Sequence, residues 1–159
     1  MEYKNITINY KSIALIAFLA VFPNFLGMLN IPTIWGFKIH LFQYLIFVAA
    51  AVYGPVGGLT TGFFGSFYTA FALNNPYIVV GNMLLGFFTG LLINKGLKLI
   101  IAVMLAFVIQ IPWLWLTDVY LVGMPINVVN GLVIGLLVSN LVWGTMASYS
   151  YKSVASLVK

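Results

Sequence analysis

Between His40 and Asn94 the chain carries no acidic, basic or cysteine residue. The stretch divides into three apolar runs at two tight breaks, Gly54-Pro55 and Asn74-Asn75-Pro76. The middle run holds Gly57, Gly58, Gly62, Gly65 and Ser66, and the third holds Gly81, Gly86 and Gly90. A bilayer core offers no water to bond backbone N–H and C=O groups, so only helices or a closed barrel can cross it. These runs are continuous and do not alternate with period two, which selects helices. The stretch therefore predicts three spanning helices joined by very short turns and packed closely through small residues.

The rest of the chain fits the same frame. Only 6% of its 159 residues are charged, against about 25% in a soluble domain, so a water-facing surface cannot be built. At about 20 residues per span, this length holds six helices in one domain. The expected fold is an all-α membrane protein of six transmembrane helices in a compact bundle. A single membrane domain, 1–159, has spans at about 12–28, 39–53, 56–73, 77–93, 97–116 and 125–149. Residues 29–38 and 117–124 are read as the two long connections, and the end of the chain as a polar tail. The polar start, Met1 to Lys11, is not read as a signal peptide, because no small-residue cleavage site follows it.

All seven basic residues are lysine. With six spans, Lys4, Lys11, Lys95, Lys98, Lys152 and Lys159 share one side and only Lys38 falls on the other. Cytoplasmic loops carry the excess of such charge, so both termini are expected to be cytoplasmic in a multi-pass protein of the cell membrane. Topology alone accounts for the net charge of +5, and no nucleic-acid partner is called for.

Orientation gives the polar residues a common level. Asn24, His40, Gln43, Asn82, Gln110, Trp113, Asn127 and Asn130 all fall in the outer halves of their spans, whereas the inner halves are richer in Gly, Ala and aliphatic residues. A polar group in hydrocarbon needs a partner or a cavity. A cavity open to the outside, partly covered by the two long connections, accommodates them together. Each has a plainer role. Trp35, Tyr77, Trp113 and Trp115 suit an interfacial belt. Asn74, Asn75 and Asn127 suit turns and caps, and His40 suits a helix start. Gln43, Asn82, Gln110 and Asn130 suit bonds between helices. Asp118, one of two acids, is read as solvated charge in an outer loop. Gly58-x-x-x-Gly62-x-x-x-Ser66, Gly86-x-x-x-Gly90 and Gly131-x-x-x-Gly135-x-x-x-Ser139 are read as packing rows.

Catalysis is not expected. One histidine, two acids and no cysteine do not assemble a nucleophile with its base, a carboxylate pair or a metal centre. No phosphate-cradling Walker loop is present. Neither a cofactor nor a metal is expected, and the chain reads as one that binds without transforming.

The order of six short spans, the long first outer connection and the central passage resemble a known family. Tyr53-Gly54-Pro55-Val56-Gly57-Gly58-Leu59, preceded by a run of alanines, is similar to a Gly-Pro-x-x-Gly hairpin. Gly81-Asn82-Met83-Leu84-Leu85-Gly86 followed by Gly90-Leu91-Leu92 is similar to the same family's fourth span. The family is that of the substrate-binding S components of energy-coupling factor vitamin transporters. The resemblance implies high-affinity capture of a vitamin-like small molecule from outside. It also implies a separate T component and ABC-type ATPases as partners in the bilayer. Docking to the T component in that family uses an Ala-x-x-x-Ala motif on the first span. Here Ala14, Ala17 and Ala20 are three apart, so Ala14 and Ala17 stand as docking candidates on a departing pattern. Two other classes remain open: a stand-alone small carrier or channel, and a non-transport scaffold subunit whose polar groups only bond between helices.

Overall fold

The structure is a computed structural model that describes residues 9–32 and 38–158; Met1, Lys4, Trp35 and Lys159 of the readings above lie outside them. It is built of helices. Among the described residues, five are long and apolar enough to cross a membrane: Tyr10–Met28, Gln43–Ala72, Tyr77–Asn94, Leu99–Leu121 and Ile126–Ser156.

Helix α1 (Tyr10–Met28) starts on Asn9, whose side chain accepts the Ser12 N–H at 2.8 Å. That bond satisfies one of the first-turn donors, as a cap should. The expected open connection after it is instead an antiparallel ladder. Strands β1 (Asn30–Pro32) and β2 (Lys38–His40) pair with Ile31 opposite Ile39. Hence the second helix begins later than 39: α2 spans Gln43–Phe64.

Inside α2 the helical dihedrals fail at one residue, Gly54, with φ 70° and ψ −155°. A side chain rarely adopts this conformation, and glycine reaches it freely. Pro55 then restarts the helix without needing an N–H partner. The consequence is a reversal. A Cβ on Gly58 would lie 3.0 Å from Cβ of Ala50, whereas residues eight apart in an unbroken helix are about 12 Å apart along the axis. The two arms of α2 therefore lie antiparallel, folded at Gly54. After a second break at Gly65-Ser66, α3 (Phe67–Ala72) completes the returning arm.

Helix α4 (Tyr77–Asn94) runs antiparallel to that arm. A Cβ on Gly58 would fall on the Gly86 backbone, one on Gly62 on the Asn82 backbone, and one on Gly90 on the Gly54 backbone. The expected small-residue rows at 58, 62, 86 and 90 are thus one continuous backbone-to-backbone seam. Gly131 differs: nothing lies within 4 Å of where its Cβ would be.

Helix α5 (Leu99–Trp115) does not stop at a loop but passes into a π-helical turn, Leu116–Leu121. Pro112 deprives α5 of one N–H, and the Thr117 hydroxyl donates to the Trp113 carbonyl at 2.9 Å. These two features mark the widening. The connection expected over 117–124 is therefore mostly helical, and Asp118 within it is buried, not solvated. Helix α6 (Ile126–Ser156) takes in most of the expected polar tail.

The outer faces are apolar. Phe18, Val21 and Phe25 of α1, Val108 of α5, and Ile134, Leu141 and Met146 of α6 are exposed. Polar groups turn inward: Gln43, Asn82, Gln110, Asp118, Ser139 and Asn140 are all buried. This inversion of the soluble pattern suits helices surrounded by lipid.

Candidate functional site

The seam fixes the levels of the bundle. Tyr53, beside the Gly54 turn, donates its hydroxyl to the Ser12 carbonyl at 2.9 Å. Gly54 packs on Gly90, five residues before Lys95. Lys11, Lys95 and Lys98 are thereby gathered at the end of the bundle where α2 reverses. At the opposite end, α2, α3, α4, α5, the π-helical turn and α6 surround a cavity with about 60 Å³ of space open to the centre of a water molecule. A single water needs about 10–15 Å³ on this measure, so the cavity holds several waters or a small ligand.

Four of the expected binding residues, His40, Gln43, Asn82 and Gln110, line this cavity. His40 ends β2 and packs its ring edge-on against Phe42, with centroids 5.7 Å apart. Gln43, the first residue of α2, accepts the Ser139 hydroxyl through Oε1 at 2.8 Å. Ser139 Oγ in turn receives the His40 backbone N–H at 3.1 Å. This relay ties α6 to the β2–α2 junction. Asn82 donates to Ser66 Oγ at 2.8 Å, and Ser66 donates to the Gly62 carbonyl at 2.7 Å. The break at Gly65-Ser66 is thus stitched to α4. Gln110 lies against Gly81, whose missing side chain makes room for its amide. Its Oε1 is buried with no hydrogen-bond partner.

The other four candidates lie elsewhere. Asn24 donates to the Phe64 carbonyl at 2.8 Å and accepts the Tyr68 N–H at 2.8 Å. It fastens α1 across the break between α2 and α3. Trp113 donates Nε1 to the Tyr77 carbonyl at 3.1 Å, joining α5 to the start of α4. Asn127 and Asn130 are exposed on the first turns of α6. Among the docking candidates, Ala14 and Ala17 are both exposed on α1, beside Phe18 and Val21.

Two residues read as turn and loop belong to the wall. Asn75 and Asp118 both line the cavity and are 1% and 3% exposed. Asn75 keeps its turn role, accepting the Tyr77 N–H at 3.1 Å, and also donates to Asp118 Oδ1 at 2.7 Å. The signal for Asp118 was present in its neighbours: Val119, Tyr120, Leu121 and Val122 are too apolar for a solvated loop. Phe42, Leu73, Ile78, Leu114, Leu132 and Leu136 are among the apolar residues of the wall. Among the described residues, no three His, Cys, Asp or Glu side chains come together as a metal centre would require.

No family model, curated protein or solved structure matches this chain.

Proposed function

We propose that the protein is a membrane-embedded substrate-binding subunit that captures a vitamin-like small molecule from outside the cell. The cavity carries this reading. It gathers amides from α2, the α3–α4 turn, α4 and α5 at the end of the bundle away from Lys11, Lys95 and Lys98. Few convergent polar groups in an otherwise apolar hollow are what a small-molecule site requires. By the excess of lysine, the opposite end is cytoplasmic, so the cavity faces outward and both termini face the cytoplasm. The two arms of α2–α3 count as separate passes, which makes six.

Energy for release inward comes from elsewhere. In the S-component reading it is supplied by a T component and ABC-type ATPases, with the exposed α1 face around Ala14 and Ala17 available for docking. Native mass spectrometry of the detergent-purified chain tests the proposal. A co-purified mass of vitamin size, lost in Asn82→Ala and Gln110→Ala variants that remain folded, supports it. An empty protein that also fails to co-purify with any ATPase from its own membranes counts against it, in favour of a scaffold subunit.

A further inference from the structure

The wall of the cavity is unbalanced in charge and in hydrogen bonding. Asp118 is a carboxylate held 3% exposed within the bundle. Its Oδ1 receives the Asn75 amide at 2.7 Å and lies 3.5 Å from the Thr117 hydroxyl, the outer limit of a hydrogen bond. Of the described residues lining the cavity, none is a lysine, and His40 is the one basic side chain. The described partners of the Asp118 side chain, the Asn75 amide and the Thr117 hydroxyl, are neutral; a buried carboxylate held so is costly in a low-dielectric medium, and a cation relieves that cost. The second observation is independent. Gln110, 3% exposed and on the same wall, leaves its Oε1 acceptor without any partner. The amides nearby each donate away from it, Asn82 to Ser66 and Asn75 to Asp118. The wall thus presents a buried carboxylate and an unpartnered amide acceptor, and a donor that carries positive charge complements both.

Resting on the small-molecule reading above, we propose that the occupant is an organic cation. Its protonated amine, amidine or positively charged ring nitrogen pairs with Asp118, and its N–H groups donate to Gln110. The apolar residues Leu114, Leu132 and Leu136 cover the remainder of a compact body. A hard metal ion is the poorer complement, because its sites gather several carboxylates or other charged ligands, and among the described residues no three His, Cys, Asp or Glu side chains come together.

The test uses the full chain in detergent and a matched set of probes. Benzylammonium, benzamidinium and N-methylpyridinium are compared with benzyl alcohol, benzamide and toluene, and with benzoate, by shift in melting temperature and by titration. The expected result is that a cation of the set binds more tightly than its neutral counterpart by at least about tenfold. Asp118→Asn should erase that preference, and Gln110→Glu, which adds a second carboxylate, should enlarge it. The second variant keeps the test decisive if the first fails to fold. Equal or tighter binding of the neutral or anionic probes, lost in Asn82→Ala, overturns the cation and leaves the small-molecule site standing. Binding of no probe of any charge, together with no co-purified mass, overturns both.

Discussion

Asn75 donates through Nδ2 to Oδ1 of Asp118 at 2.7 Å, while its own Oδ1 accepts the Tyr77 N–H at 3.1 Å. One side chain thus caps the start of α4 and holds the π-helical turn after α5 against it. Both residues are buried. Removing either partner leaves the other unsatisfied, which costs about 1–3 kcal/mol. Asn75→Ala and Asp118→Ala should each lower stability by about that amount. Because they share a bond, the double variant should lose less than the sum, with a coupling of at least about 0.5 kcal/mol. Unfolding of the four proteins in one detergent measures this, and strict additivity would refute the pairing.

The seam between α2 and α4 makes a sharper prediction. A methyl on Gly86 would fall on the Gly58 backbone and lie 2.9 Å from Ile46. Backbone cannot rotate aside as a side chain can, so Gly86→Ala should force the helices apart and destabilise the bundle by more than the about 1–3 kcal/mol of ordinary overpacking. Gly131 belongs to a similar sequence row but has open space around it. Gly131→Ala should be neutral or stabilising by up to about 1 kcal/mol, since alanine is the better helix former. Melting temperatures of the two variants side by side decide it, and equal losses would mean that the seam is not where the structure puts it.

Gly54 carries the reversal of α2 at φ 70° and ψ −155°. Alanine there should cost about 1–3 kcal/mol in backbone strain alone. Gly54→Ala should therefore lower folded yield and melting temperature, whereas Ala51→Gly, three residues away on a regular turn of helix, should cost only about 1 kcal/mol. A Gly54→Ala protein as stable as the parent would show that the turn is not strained.

How much of this was legible beforehand depends on what a residue contacts. The apolar runs, the break at Gly54-Pro55 and the inward set His40, Gln43, Asn82 and Gln110 follow from patterns within single segments. A charge-free run needs lipid, and an amide inside it needs company. What failed to show was anything decided between segments. Asn24, Asn82 and Gln110 are the same kind of residue at similar depth. Yet Asn24 is consumed by the Phe64 carbonyl and Tyr68 N–H across a helix break, which no spacing in the sequence announces. Asp118 read as a loop charge because the partner that meets it comes from another segment, the Asn75 amide at the turn before α4. Asn127 and Asn130 are on the exposed side of α6 because the helix turns Val129 inward between them. Periodicity alone does not say which face meets the bundle.

The fold-back at Gly54 also sets the sidedness of every later segment. If Gln43–Ala72 crossed the bilayer once, Tyr10 and Asn94 would emerge on opposite faces. If its two arms cross separately, they emerge on the same face, and Tyr120 on the other. The chain has no cysteine, so single cysteines report position without background. Tyr10, Asn94 and Tyr120 are exposed and lie near helix ends, so cysteine should be tolerated at each. We expect a membrane-impermeant maleimide added to intact cells to label Tyr120→Cys, and to label Tyr10→Cys and Asn94→Cys only after permeabilisation. Labelling of Asn94→Cys but not Tyr10→Cys from outside would mean an odd number of crossings between them. That result would withdraw the six-pass topology and with it the outward direction of the cavity.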